Sequence, residues 1–119
     1  MFNNVEHLRA MAAALGEFEQ LVLFALLRLD ADAYGATIRR EIEQRAGRPL
    51  AISAVYTTLA RLEHKGVVRS KIGEPTAERG GRRRKYFELT PLGARAVRDA
   101  YTAYTRMTAG LERRLKALG

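Results

Sequence analysis

The chain has 119 residues, no cysteine and a formal net charge of +8. That length suits one domain, and without thiols there is no disulfide framework, thiolate metal site or redox motif. The longest apolar run, Leu21–Leu27, is too short to span a bilayer, and the start MFNNVEHLRAMAAAL lacks the basic-then-apolar order of a signal peptide. These features predict a cytoplasmic protein in a reducing compartment, with no membrane partner.

In chain order, Val5, Leu8, Met11 (or Ala12) and Leu15 recur at helical spacing, and Gly16 ends or bends that helix. Glu17–Leu29 (EFEQLVLFALLRL) is apolar nearly all round after its first turn, so it needs cover on more than one side. Its own core can supply one cover; a second chain or the terminal helices must supply the other. Asp32 is the expected N-cap of a helix Tyr34–Ala46, with Tyr34, Ile38 and Ile42 in line and Gly47 as its C′ residue. Pro49 marks a short connection.

A further helix is expected over Ser53–Lys65, with Val55, Leu59 and Leu62 as its buried stripe, Ser53 as its cap and Gly66 as its stop. Val67–Ile72 (VVRSKI) and Arg84–Leu89 (RKYFEL) alternate as strands and should pair antiparallel around a loop Gly73–Arg83. Thr90-Pro91 is a helix start, a capping residue followed by proline at the first helical position. From Leu92 to Leu118 the pattern predicts one long helix, ~40 Å at ~1.5 Å per residue.

Along it Ala94, Val97, Tyr101, Tyr104, Thr108, Leu111, Leu115 and Leu118 form a heptad-like seam, weakened locally at Thr108 and Gly110. Such a helix either folds back on its own domain or packs against a second copy. The seam favours a homodimer, with Phe18, Val97, Tyr101, Tyr104, Leu111 and Leu115 as its candidate residues. The predicted fold class is therefore mostly α with a small β-hairpin: a winged helix-turn-helix over residues 1–90, followed by a C-terminal dimerisation helix over 91–119, in one compact unit.

Charge is concentrated where the hairpin falls. Residues 53–85 hold nine lysines and arginines against three acids, which is six of the eight net positive charges. Basic runs also occur on solvated or membrane-attracted surfaces. Here the order of elements, a short helix and then a basic hairpin, points to nucleic acid. In a helix-turn-helix the second helix enters the major groove. Ser53, Tyr56, Thr57 and Arg61 lie off the buried stripe and can meet phosphates or base edges. Tyr56 can equally pack on the neighbouring helix, and the two roles are compatible. Arg79, Arg82 and Arg83 are placed to straddle a phosphate backbone or enter a minor groove. Strand alternation sends Arg84 and Lys85 to opposite faces, so at most one shares the DNA-facing side.

Catalysis has no support in the sequence. His7 and His64 are far apart, neither has a partner at metal spacing, and Gly80-Gly81 sits in a hairpin rather than after a strand. No catalytic residue, metal or cofactor is expected.

The strings AYGATIRREI (33–42), AVYTTLARLEHKGVV (54–68) and ERGGRRRKYFELTPLG (78–93) together resemble the PadR family of bacterial transcriptional regulators. The elements that carry the resemblance are Tyr34-Gly35, then Tyr56, Leu59, Leu62, Glu63 and Gly66 at their spacing, then Arg84 to Phe87 with Leu89, Thr90 and Gly93. The short C-terminal part looks like the smaller subfamily. The resemblance implies a homodimeric repressor that binds double-stranded DNA at a pseudo-palindromic operator, with repression relieved by a ligand or signal. Tyr56 matches the family's recognition-helix tyrosine, and Arg84, Lys85 and Tyr86 its wing-strand motif.

The chain departs from the family at Ala51, where a serine-like cap is common, and near Ser53, where glycine is common. The expected start of the recognition helix moves one or two residues later. Some members hold flat aromatic ligands at the dimer interface with tryptophan. This chain has none, and Tyr101, Tyr104, Phe18 and Phe24 read more simply as dimer core than as the lining of an effector cavity. The competing reading is a winged-helix module whose basic wing meets an acidic protein surface.

Overall fold

The computed structural model describes residues 15–74 and 83–119. The expected helix before Leu15, His7 and the wing-tip residues Arg79 and Arg82 lie outside the described residues. In order, the elements are α1 (Glu17–Leu29), a 3₁₀ turn (Asp30–Asp32), α2 (Gly35–Ala46), α3 (Ile52–His64), β1 (Val68–Ile72), β2 (Lys85–Leu89), α4 (Pro91–Thr108) and α5 (Glu112–Ala117). This is the mostly helical winged helix-turn-helix that the sequence predicts. None of these helices is long and apolar enough to cross a membrane.

Three helices enclose the core. Val22, Leu23 and Leu26 of α1 meet Ile38 and Ile42 of α2 and Val55, Leu59 and Leu62 of α3. Phe87 from β2 and Val97 from α4 close it. The α3 stripe read from the sequence is buried in full. The opposite side of α1 is covered only in part: Phe18, Leu21 and Phe24 are half-buried and Leu27 is exposed.

Two helix starts differ from expectation. Asp32 does not cap α2; it lies in the 3₁₀ turn, and the N-cap is Tyr34. The capping group is Thr37, whose hydroxyl accepts from the Tyr34 N–H at 3.0 Å and donates to the Asp32 carbonyl at 2.6 Å. One threonine thus does from inside the helix what an aspartate outside was expected to do. Ser53 likewise caps nothing. Recognition helix α3 begins at Ile52 with Ala51 as N-cap and no side-chain cap bond, so its start is earlier than expected, not later.

β1 and β2 pair antiparallel, with Val68 opposite Leu89 and Ile72 opposite Lys85. A third short segment joins them. Tyr34 bridges Tyr86, and the Phe87 N–H donates to the Ala33 carbonyl at 2.9 Å. The hairpin base is therefore laced to the start of α2.

Thr90 caps α4 as the sequence predicts, accepting from the Gly93 N–H at 3.0 Å. The same hydroxyl donates to the Gly66 carbonyl at 2.6 Å, and the Thr90 N–H donates to the Val67 carbonyl at 3.1 Å. Gly93 is required here, because a Cβ at that position would overlap the Val67 carbonyl oxygen. The start of α4 is thus fixed to the turn that ends the recognition helix.

The predicted single helix over 92–118 is two helices. Ala109 is extended and Gly110 left-handed (φ +78°), which breaks the chain between α4 and α5. In the last turn of α4 the Thr108 hydroxyl donates to the Tyr104 carbonyl at 2.8 Å, as Thr105 does to the Tyr101 carbonyl one turn earlier.

Candidate nucleic-acid interface

Ser53, Tyr56, Thr57 and Arg61 are all exposed on α3, on the side away from Val55, Leu59 and Leu62. The core therefore fixes which face the helix turns outward. Tyr56 is 47% exposed and does two things at once. Its ring end lies against Gly35 at the start of α2, where a Cβ would overlap the phenol oxygen and ring. Glycine there leaves room for the end of the ring at the helix start, while the residue stays nearly half exposed. Ile52, exposed at the entering end of the same helix, is absent from the sequence reading, which began the helix one residue too late. An apolar side chain at that place suits contact with a thymine methyl group.

The wing's described cations divide as alternation requires. Arg83 is exposed. Arg84 turns inward: its guanidinium carbon lies 3.9 Å from the centroid of the Tyr34 ring. Lys85 turns the other way, 3.8 Å from a Glu63 carboxylate oxygen of α3 and 5.6 Å from the Phe87 ring centroid. Across the hairpin, Arg69 pairs with its register partner Glu88 at 2.9 Å. The Arg69 hydrogen bond holds the Glu88 carboxyl below its ordinary range against a smaller opposing effect of desolvation, with Lys71 assisting. Lys71, exposed on β1, adds a cation to this face that the sequence reading did not single out.

A buried ion pair supports the recognition helix from behind. Glu19 of α1 accepts from the Lys65 ammonium at 2.8 Å and from the Gly16 N–H at 2.8 Å. Burial pushes this carboxyl up, but the Lys65 bond, the Gly16 N–H and the charges of Lys65 and Arg61 together hold it below the usual glutamate value. Its second oxygen is buried without a hydrogen-bond partner among the described residues. Sequence gave no sign of this pair, because an acid in the first turn of an apolar helix reads as exposed.

His64 is exposed, and among the described residues no three His, Cys, Asp or Glu side chains gather as a metal site would need.

The residues expected to make a dimer sit differently from one another. Val97 belongs to its own chain's core, with 4% exposure, and offers nothing to a second copy. Phe18 and Leu111 are half-buried. Tyr101, Tyr104 and Leu115 are exposed, as are Met107 and Leu118 nearby. Two open grooves flank the meeting of α1 and α4. One of about 1070 Å³ runs past Gln20, Leu92, Ala96, Ala103 and Met107. The other, of about 490 Å³, lies among Leu21, Phe24, Tyr101 and Tyr104.

A supporting helix, a recognition helix with an exposed polar face and a basic two-stranded wing define the winged helix-turn-helix class of DNA-binding proteins. Within that class the sequence matches the transcriptional regulator PadR-like family over residues 23–99, well over half of its length, and the chain belongs to that family. It is a DNA-binding transcriptional regulator, from a family of regulators rather than enzymes.

Among solved structures the chain is similar to an hsRosR-S1 complex, with 28% identity, a TM-score of 0.65, and coverage of 89% of this chain and 88% of that one. An hsRosR-S4 complex gives 25% identity, a TM-score of 0.67, and coverage of 93% and 89%. A PadR family regulator from Clostridium difficile R20291 shares the fold, with a TM-score of 0.69 at 24% identity, over 84% of this chain and 99% of that one. No curated protein matches the chain closely enough to serve as a relative.

Proposed function

We propose that the protein is a repressor that binds a pseudo-palindromic operator as a homodimer, and that a ligand or other signal relieves the repression. The observation that carries the DNA reading is the exposed face Ser53, Tyr56, Thr57 and Arg61, held outward by a buried stripe and flanked by a basic hairpin. Arg79, Arg82 and Arg83 supply phosphate contacts from the wing, and sequence choice comes from α3.

The exposed Tyr101, Tyr104 and Met107 on α4, together with the half-covered apolar side of α1, support the dimer. Apolar surface that one copy leaves open along a helix is what a second copy buries. Residues 1–90 then act as the DNA-binding part and 91–119 as the dimerising part. The grooves beside α1 lie where an effector would change how two copies meet. The protein works where the chromosome lies, in the cytoplasm.

Gel retardation on duplex DNA from the region upstream of its own gene tests the reading. With six to ten phosphate contacts, affinity falls by roughly 10³–10⁵ between 50 and 200 mM salt. Retention of an acidic protein, with no duplex bound at any salt, would instead make the wing a protein-binding surface.

A further inference from the structure

We propose that Arg84 is the anchor of the wing: a positioning residue that aims the basic loop at the phosphate backbone and does not itself touch phosphate. The inference rests on the DNA-binding reading above and reassigns one of the wing's cations. Its guanidinium lies over the Tyr34 ring at 3.9 Å from the centroid, and its Nε is buried with no hydrogen-bond partner among the described residues. Tyr34 in turn meets Tyr86 edge to face, with ring centroids 5.7 Å apart and planes at 78°. The Arg84 carbonyl accepts from the Gly73 N–H at 2.7 Å, which extends the hairpin ladder one residue beyond β2. Gly73 has no side chain at the point where a Cβ would overlap the Tyr86 ring.

The first residue after the wing loop is therefore held twice, by its backbone to Gly73 just past β1 and by its side chain to Tyr34 at the start of α2. A planar, weakly hydrated guanidinium suits a buried aromatic face; a compact, strongly hydrated ammonium does not. Arg83, one residue earlier, is exposed and remains available to phosphate. Arg84 so couples the orientation of the wing to α2, the helix that supports the recognition helix.

The test compares wild type, Arg84→Lys, Arg84→Ala, Tyr34→Ala, the Tyr34→Ala/Arg84→Ala double variant and Arg83→Ala. Each is measured by gel retardation over a salt series and by amide hydrogen exchange at Gly73. Arg84→Lys keeps the charge but loses the flat stack, so affinity is expected to fall about three- to thirty-fold with an unchanged salt slope. Exchange at Gly73 speeds up in the same variant, and the double variant is no weaker than the worse single one. Arg83→Ala, by contrast, reduces the salt slope by about one. Wild-type affinity and Gly73 exchange in Arg84→Lys, with a slope lowered by about one in Arg84→Ala, would overturn the proposal and make Arg84 a phosphate contact. If wild type itself retards no duplex, the DNA reading fails instead, and Gly73 exchange alone decides whether Arg84 holds the hairpin.

Discussion

The two halves of α4 have similar apolar spacing and opposite surroundings. In the first half Gly93, Ala96 and Val97 are buried, and the helix start is bonded to Gly66 and Val67. In the second half Tyr101 is 61% exposed, Tyr104 69% and Met107 77%. Periodicity alone made these one seam. The difference teaches that a repeating apolar stripe states only that something must cover it; which chain does so depends on whether the rest of the fold reaches that far.

The sharpest way to break the comparison is to remove the second half. Deleting Tyr101–Gly119 should leave a folded monomer by light scattering, since the core it omits is small. It should also weaken operator binding by roughly 10²–10⁴ as the two half-sites are no longer joined. A truncated protein that stayed dimeric would place the interface elsewhere.

Attacking the first half acts on folding instead. Gly93→Ala puts a methyl into the Val67 carbonyl, and should cost about 3 kcal/mol of unfolding free energy, read as a lower denaturant midpoint, while leaving the oligomeric state of the folded fraction unchanged.

Glu19→Gln tests the ion pair behind the recognition helix and should cost about 2 kcal/mol at neutral pH, because the Lys65 ammonium then meets a neutral amide oxygen in place of a carboxylate. The folded carboxyl holds its proton less tightly than an ordinary glutamate near 4.5. Its contribution is therefore complete above that pH and is lost as pH falls through the lower folded value. Thermal melts of wild type should lose ground on the variant only in that acid range; a constant gap down to pH 2 would remove the pair from the account.

The smallest effect is expected from Thr90→Ala. It removes one cap and one bond to Gly66, costs about 1 kcal/mol, and should not alter the salt slope of DNA binding.

What was legible in the sequence was local. Val55, Leu59 and Leu62 announced the buried side of α3, and with it the outward face, because helical spacing needs no partner to be read. Thr90-Pro91 and Gly66 marked ends for the same reason. The bridge from Tyr34 to Tyr86 was not legible, since two residues cannot be paired across fifty positions from their spacing. The inward turn of Arg84 followed from that bridge and was missed with it, although alternation had already limited how many wing cations could face one way. At Gly110 the signal of a break was visible, but the leucines beyond it kept the period, and continuity was read where the backbone turns. The buried Glu19 was hidden because its partner Lys65 comes from another helix.

The Thr90 joint also has a mechanical meaning. Helix α4 has 18 residues, or about 27 Å at ~1.5 Å per residue. It is pinned at one end to the turn that closes the recognition helix, and its other end is bare. In a dimer built on that bare end it acts as a lever arm: tilting it by about 5° displaces its tip by about 2 Å, a shift of the size seen in allosteric helix movements. Small changes in how two copies touch would thus be converted, through one threonine hydroxyl and one side-chain-free position, into a change in the distance between the two reading heads.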